Sequence, residues 1–153
     1  MIRYPEGLPF ILMDGSELET VDPQLRTSLG NGRVRVRRKF SQTPQYKSGT
    51  VLMRTYQQAA LFEGWWEHVL VSGTNWFEAP ITTPLGTEMR VVRFAGVYSG
   101  PAKVGPTLWQ FSFRLELRKR AILPAEWVQP DAAEWILHAS DFDILMNRTW
   151  PEA

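Results

Sequence analysis

Histidine, the side chain most often recruited for acid–base work and metal binding near neutral pH, occurs twice in the 153-residue chain, at His68 and His138. His68 lacks a second donor at helical spacing, because Gly64, Val71 and Ser72 occupy the positions four before, three after and four after it. Glu63 and Glu67 are four apart, but the zinc-protease pattern would need a histidine at 67; they read as a solvated helix face. His138 lies near Asp141 and Asp143, the parts of a general base with orienting carboxylates. No nucleophile in a strained turn accompanies it, so a small hydrolase is the weakest functional reading. Cysteine is absent, which excludes thiol nucleophiles, thiolate zinc sites, iron–sulfur clusters and disulfides. The loops Gly30-Asn31-Gly32 and Gly96 to Gly105 carry neither a Walker lysine and serine nor a GxGxxG between strand and helix. The expectation is no enzyme, with no catalytic, cofactor-binding or metal-binding residue.

Two features remain. Arg33, Arg35 and Arg37, continued by Arg38 and Lys39, alternate with Val34 and Val36, so on a strand the arginines share one face at about 6.6 Å intervals. Such a stripe protects an edge strand, makes ion pairs across a subunit boundary, or follows a phosphate backbone. The interleaved residues are valines rather than the aromatics that single-strand binding favours. The second feature is seven Trp, eight Phe and four Tyr, more rigid apolar area than one modest core readily hides. Trp65 and Trp66 are adjacent and cannot both face one sheet from an α-helix. Trp65 is therefore counted with Trp127, Trp135 and Trp150 as spare, and spare tryptophans point to subunit interfaces.

The elements that position these residues follow from periodicity. Residues 1–32 read as an irregular N-terminal arm, broken by Pro5, Gly7, Pro9, Gly15, Pro23, Gly30 and Gly32. Residues 33–123 read as one domain. It begins with a strand over 33–40, with Val34 and Val36 on its buried face, and a second over 49–54 that could pair with it. Thr55, with Gln58 three residues on, caps a helix over 55–70. Strands over 75–80, ending at Pro80, and over 88–94 follow, and then a long turn over 96–106. The clearest alternation in the chain is Trp109, Phe111, Phe113, Leu115 and Leu117 against Gln110, Ser112, Arg114, Glu116 and Arg118. Residues 124–153 read as a C-terminal extension with a short helix capped by Asp131. Strands on both sides of one helix predict an α+β fold, the helix laid on an antiparallel sheet. Apolar residues are 44% and charged residues 22%, with a net charge of +1. This is a foldable chain without a whole-protein field for nucleic acid. No run of about 18 apolar residues escapes a charge, so no membrane span is expected.

In this order of elements, residues 33–118 resemble the phage minor tail protein family, whose members include the M protein of the lambda tail tip, within the wider group of distal tail proteins of long-tailed phages. The resemblance rests on a strand pair, an aromatic helix (Thr55–Leu70), a break at Gly73, and an aromatic strand Trp76-Phe77-Glu78-Ala79-Pro80. The strands Glu88–Phe94 and Trp109–Arg118 complete it. The family's glycine-aromatic turn is loosely echoed by Gly30-Asn31-Gly32, and the tail from Pro124 has no counterpart. The resemblance implies an antiparallel β-sandwich like the phage tail-tube fold, and a structural virion protein made in the host cytoplasm. It also implies a homohexameric ring at the tail tip, with tail-tube and tail-hub proteins as partners and neither membrane nor specific nucleic acid. A tail-tube or tail-completion subunit is the alternative within this class. A nucleic-acid-binding module using the Arg33–Lys39 strand is the alternative from another.

Overall fold

In the computed structural model, which describes residues 1–12 and 17–139, the strands run β1 (Ile2–Arg3), β2 (Leu18–Thr20), β3 (Gln24–Ser28), β4 (Val34–Arg38), β5 (Gln45–Met53), β6 (Phe77–Thr83), β7 (Gly86–Phe94), β8 (Ser99–Val104) and β9 (Leu108–Leu117). Helix α1 (Tyr56–Gly64) and a π-helical turn (Trp65–Val69) lie between β5 and β6, and a 3-10 turn (Ala125–Val128) and α2 (Pro130–Leu137) follow β9. The chain divides into two compact units, Met1–Arg120 and Ala121–Ala153. It is mostly β-sheet with few helices, as expected for an α+β fold.

The alternating run forms β9, the centre of a seven-stranded sheet ordered β1-β6-β7-β9-β5-β2. β5 pairs with β9 along its whole length, from Gln45↔Leu117 to Met53↔Trp109. On its other side β9 is shared by β7 near Leu117 and by β8 near Leu108. Period-2 alternation sends Phe111, Phe113, Leu115 and Leu117 to the inner face with Val51, Met53, Val92, Phe94, Phe77 and Ile81, all buried. The β6–β7 hairpin bends back over that face, where Lys47 Nζ donates to Thr82 O at 2.5 Å.

The helix covers the inner face. Thr55 caps it, Oγ1 accepting from Gln58 N–H at 3.3 Å, while Gln58 Oε1 accepts from Arg54 N–H at 3.0 Å. Phe62 is fully buried among Phe111 (4.7 Å between centroids), Tyr98 (5.6 Å) and Phe113 (6.2 Å). Each such ring contributes on the order of 1.5–3 kcal/mol.

The segment 55–70 departs from a single α-helix at Trp65. Leu70 N–H reaches Trp65 O at 3.1 Å and Ser72 N–H reaches Glu67 O at 3.1 Å, both five residues back. In this wider turn each residue rotates through a smaller angle, so consecutive side chains share a face. Trp65 and Trp66 are accordingly both buried, 7% and 8% exposed. The expectation that Trp65 is an interface residue is corrected: it packs edge-on to Phe77 (5.1 Å) and against Tyr4 (5.6 Å).

Other elements differ from the periodic reading. The segment 1–32 contains β1, β2 and β3, the first two too short to show a period. The strand 33–40 pairs with β3 rather than with the next strand, in the register Gln24↔Arg38 to Ser28↔Val34. A local turn closes this pair, with Leu29 N–H on Arg33 O and Gly32 at φ +79°. β6 continues through Pro80 to Thr83, because β1 pairs only with Phe77 and Glu78 and the proline meets an unpaired edge. The turn 96–106 contains β8. The cap of α2 is Gln129, with Pro130 in the first turn, rather than Asp131.

Candidate assembly surface

β3 and β4 form a two-stranded sheet of their own. Antiparallel register places Leu25 and Thr27 with Arg35 and Arg37 on one face, and Gln24, Arg26 and Ser28 with Val34, Val36 and Arg38 on the other. The expected burial of Val34 and Val36 does not occur: they are 58% and 53% exposed, and all of β4 is exposed. An isolated hairpin is marginal in water, since neither face has a layer to pack against.

Its charge is equally unbalanced. Arg26, absent from the sequence-based stripe, is brought opposite Val36 and joins Arg33, Arg35, Arg37, Arg38 and Lys39. The signal for it was available: between Pro23 and Phe62 the chain holds eight Lys and Arg and no Asp or Glu. Arg38 donates from Nε to Phe40 O at 2.9 Å and from Nη2 to Ser41 O, and Arg26 donates to Gln24 Oε1 at 3.1 Å. Among the described residues no ion pair reaches Arg33, Arg35 or Arg37.

The outer face of the main sheet has the opposite character. A transverse row runs from Glu19 through Tyr46 and Glu116 to Arg93, and every charge in it is answered. Arg93 Nη2 meets Glu116 Oε2 at 2.6 Å and its guanidinium lies 4.5 Å from the Trp76 ring centroid. Arg114 pairs with Glu19 and lies 4.4 Å over Tyr46. Beside the row opens a cavity of about 380 Å³ between Tyr46, Arg93, Glu116 and the loop Ser72-Gly73-Thr74. Because its charged lining is already paired, it offers a ligand little. Burial lowers the Lys47 ammonium from its ordinary value on the inner face. The Tyr98 phenol is pushed up, first by burial and then by the Glu63 carboxylate that accepts from it at 3.3 Å.

Trp127, in the 3-10 turn, and Trp135, on α2, are exposed on the second unit. Trp150, Asp141 and Asp143 lie outside the described residues, so the His138 arrangement has no described geometry. Of the sequence-singled residues, then, Arg33, Arg35 and Arg37 stand together on one hairpin and Trp127 and Trp135 on one unit, while Trp65 belongs to the core. Among the described residues no group of three or more His, Asp or Glu could hold a metal ion, and no helix is long and apolar enough to cross a membrane. No family model, curated protein or solved structure matches the chain.

Proposed function

We propose that this chain is a structural subunit of the tail of a long-tailed phage: a distal tail protein whose ring joins the tail tube to the hub and receptor-binding apparatus. The observation that carries this reading is the β3–β4 hairpin, a basic ribbon exposed on both faces. A ribbon of that kind gains its packing from a neighbour. The order of elements from helix α1 to the alternating β9, and the exposed Trp127 and Trp135, support it. On this reading the body is a variant of the tail-tube sandwich, assembling with itself as a six-membered ring and with tube and hub proteins in the virion tail. A tail-tube or completion subunit would share these features, and the ring's position along the tail separates the two. The test is negative-stain microscopy of the purified protein, together with detection of the chain in purified particles. Rings and incorporation are expected; a persistent monomer absent from particles overturns the reading.

The acid-free stretch from Pro23 to Phe62 favours a second reading, a nucleic-acid-binding module. It requires retention on DNA with a steep salt dependence, lost in Arg35→Glu/Arg37→Glu.

A further inference from the structure

We propose that the β3–β4 hairpin of one copy docks on the C-terminal unit of a second copy of this chain, its arginines meeting paired carboxylates and indoles there. The inference rests on the ring-subunit reading and names the contact through which copies join.

The net charge of +1 conceals two segments of opposite sign. The hairpin and its flank, residues 24–39, carry six cations and no carboxylate, whereas residues 121–139 carry Glu126, Asp131 and Glu134 and neither Lys nor Arg. Over the whole of residues 121–153 six carboxylates face one arginine. Two of the three acidic residues within 121–139 are each followed by a tryptophan, Glu126-Trp127 and Glu134-Trp135, and those four side chains are exposed. Both residue types suit arginine, whose guanidinium forms a charge-assisted hydrogen bond with a carboxylate and lies on the face of an indole. Arg35 and Arg37 present two guanidinia on one hairpin face, with no ion pair to either among the described residues. Nucleic acid would match the charge but would leave both indoles wet, whereas a second copy whose indoles meet Arg35 and Arg37 covers them. Because the docking element and the receiving element differ, every copy keeps one of each to offer, the condition for a ring or filament.

The test is mass by sedimentation equilibrium at low salt for the wild type, Arg35→Glu/Arg37→Glu, Glu126→Lys/Glu134→Lys, and an equimolar mixture of the two variants. Far-UV circular dichroism and thermal melting of each check the fold. The wild type is expected at a multiple of 17.6 kDa, and each variant is expected to associate at least about tenfold more weakly. The mixture is expected to recover, because reversed charges then match across both contacts. Trp127→Ala/Trp135→Ala is expected to weaken association while leaving its salt dependence. If either folded charge variant assembles like the wild type, the hairpin contact is wrong while the ring reading stands. A wild type that remains monomeric at about 100 µM, a concentration that exposes any micromolar contact, overturns the ring reading and this contact with it. Retention of the monomer on duplex DNA, abolished by Arg35→Glu/Arg37→Glu, assigns the hairpin to nucleic acid and overturns the proposal.

Discussion

A Cβ built on Gly73 would lie 2.7 Å from Nε1 of Trp66 and 3.1 Å from Cβ of Phe94. The backbone there is left-handed, φ +78° at Gly73 after +51° at Val71 and +54° at Ser72, so the loop turns sharply enough to lay its backbone on the buried indole. Ser72 Oγ donates to Glu67 Oε2 at 3.1 Å and Asn75 Nδ2 donates to Val69 O at 3.2 Å, which hold the turn in place. Gly73→Ala adds a left-handed penalty of about 1–2 kcal/mol to an overpacking cost of about 1–3 kcal/mol. The expected loss is about 2–5 kcal/mol by urea unfolding. A loss under about 0.5 kcal/mol would show that the loop yields freely.

Trp65 and Trp135 give opposite outcomes on substitution. Trp65 is enclosed by Tyr4, Phe62 and Phe77, so Trp65→Ala opens a cavity and is expected to cost about 3–5 kcal/mol. Trp135 is exposed on α2, so Trp135→Ala is expected to change monomer stability by no more than about 0.5 kcal/mol. Thermal melts of both variants at a concentration below association make the comparison.

Alkaline pH should loosen the N-terminal segment through Tyr4. Its hydroxyl donates to Pro9 O at 2.9 Å beneath Trp65, and burial pushes its phenol well above the ordinary value of 10. Above about pH 10 the unfolded chain releases this proton while the folded chain keeps it. Stability present in full below that pH therefore falls as pH rises, by about 1.4 kcal/mol per pH unit for this site. Tyr4→Phe is expected to remove that part of the slope and to cost about 1 kcal/mol at neutral pH for the lost hydrogen bond. Urea unfolding of both proteins from about pH 9 to 11 measures it; equal slopes refute it. Tyr98, shifted the same way, keeps some slope in the variant.

What was legible in the chain follows the strength of local signals. β9 shows five apolar residues at strict alternation, and α1 shows a Thr55–Gln58 cap, because both patterns are contained in one element. The π-helical turn was not legible: helical periodicity assumes 3.6 residues per turn, and Trp65-Trp66 look mutually exclusive until that assumption fails. Pairing partners were also hidden. The run Arg33 to Lys39 reads as a half-buried strand since period 2 reports alternation, not what covers either side, and its partner β3 is too polar to announce itself. The missed Arg26 needed the register across the turn, although the missing carboxylates from Pro23 to Phe62 already outlined the basic arm.

β1 lies along β6 and β2 along β5, while Leu12 N–H and O exchange hydrogen bonds with Thr50 at 2.7 and 3.0 Å. One leading stretch therefore covers part of both lateral margins of the same sheet, Phe77 and Glu78 on β6 and residues 45–47 and Thr50 on β5, which would otherwise present bare amide rows to other molecules. A protease nick or an expression clone that removes the first twenty residues would do more than weaken the molecule. It would expose more of two sticky sides at once, and the shortened product should precipitate by pairing strand edge to strand edge.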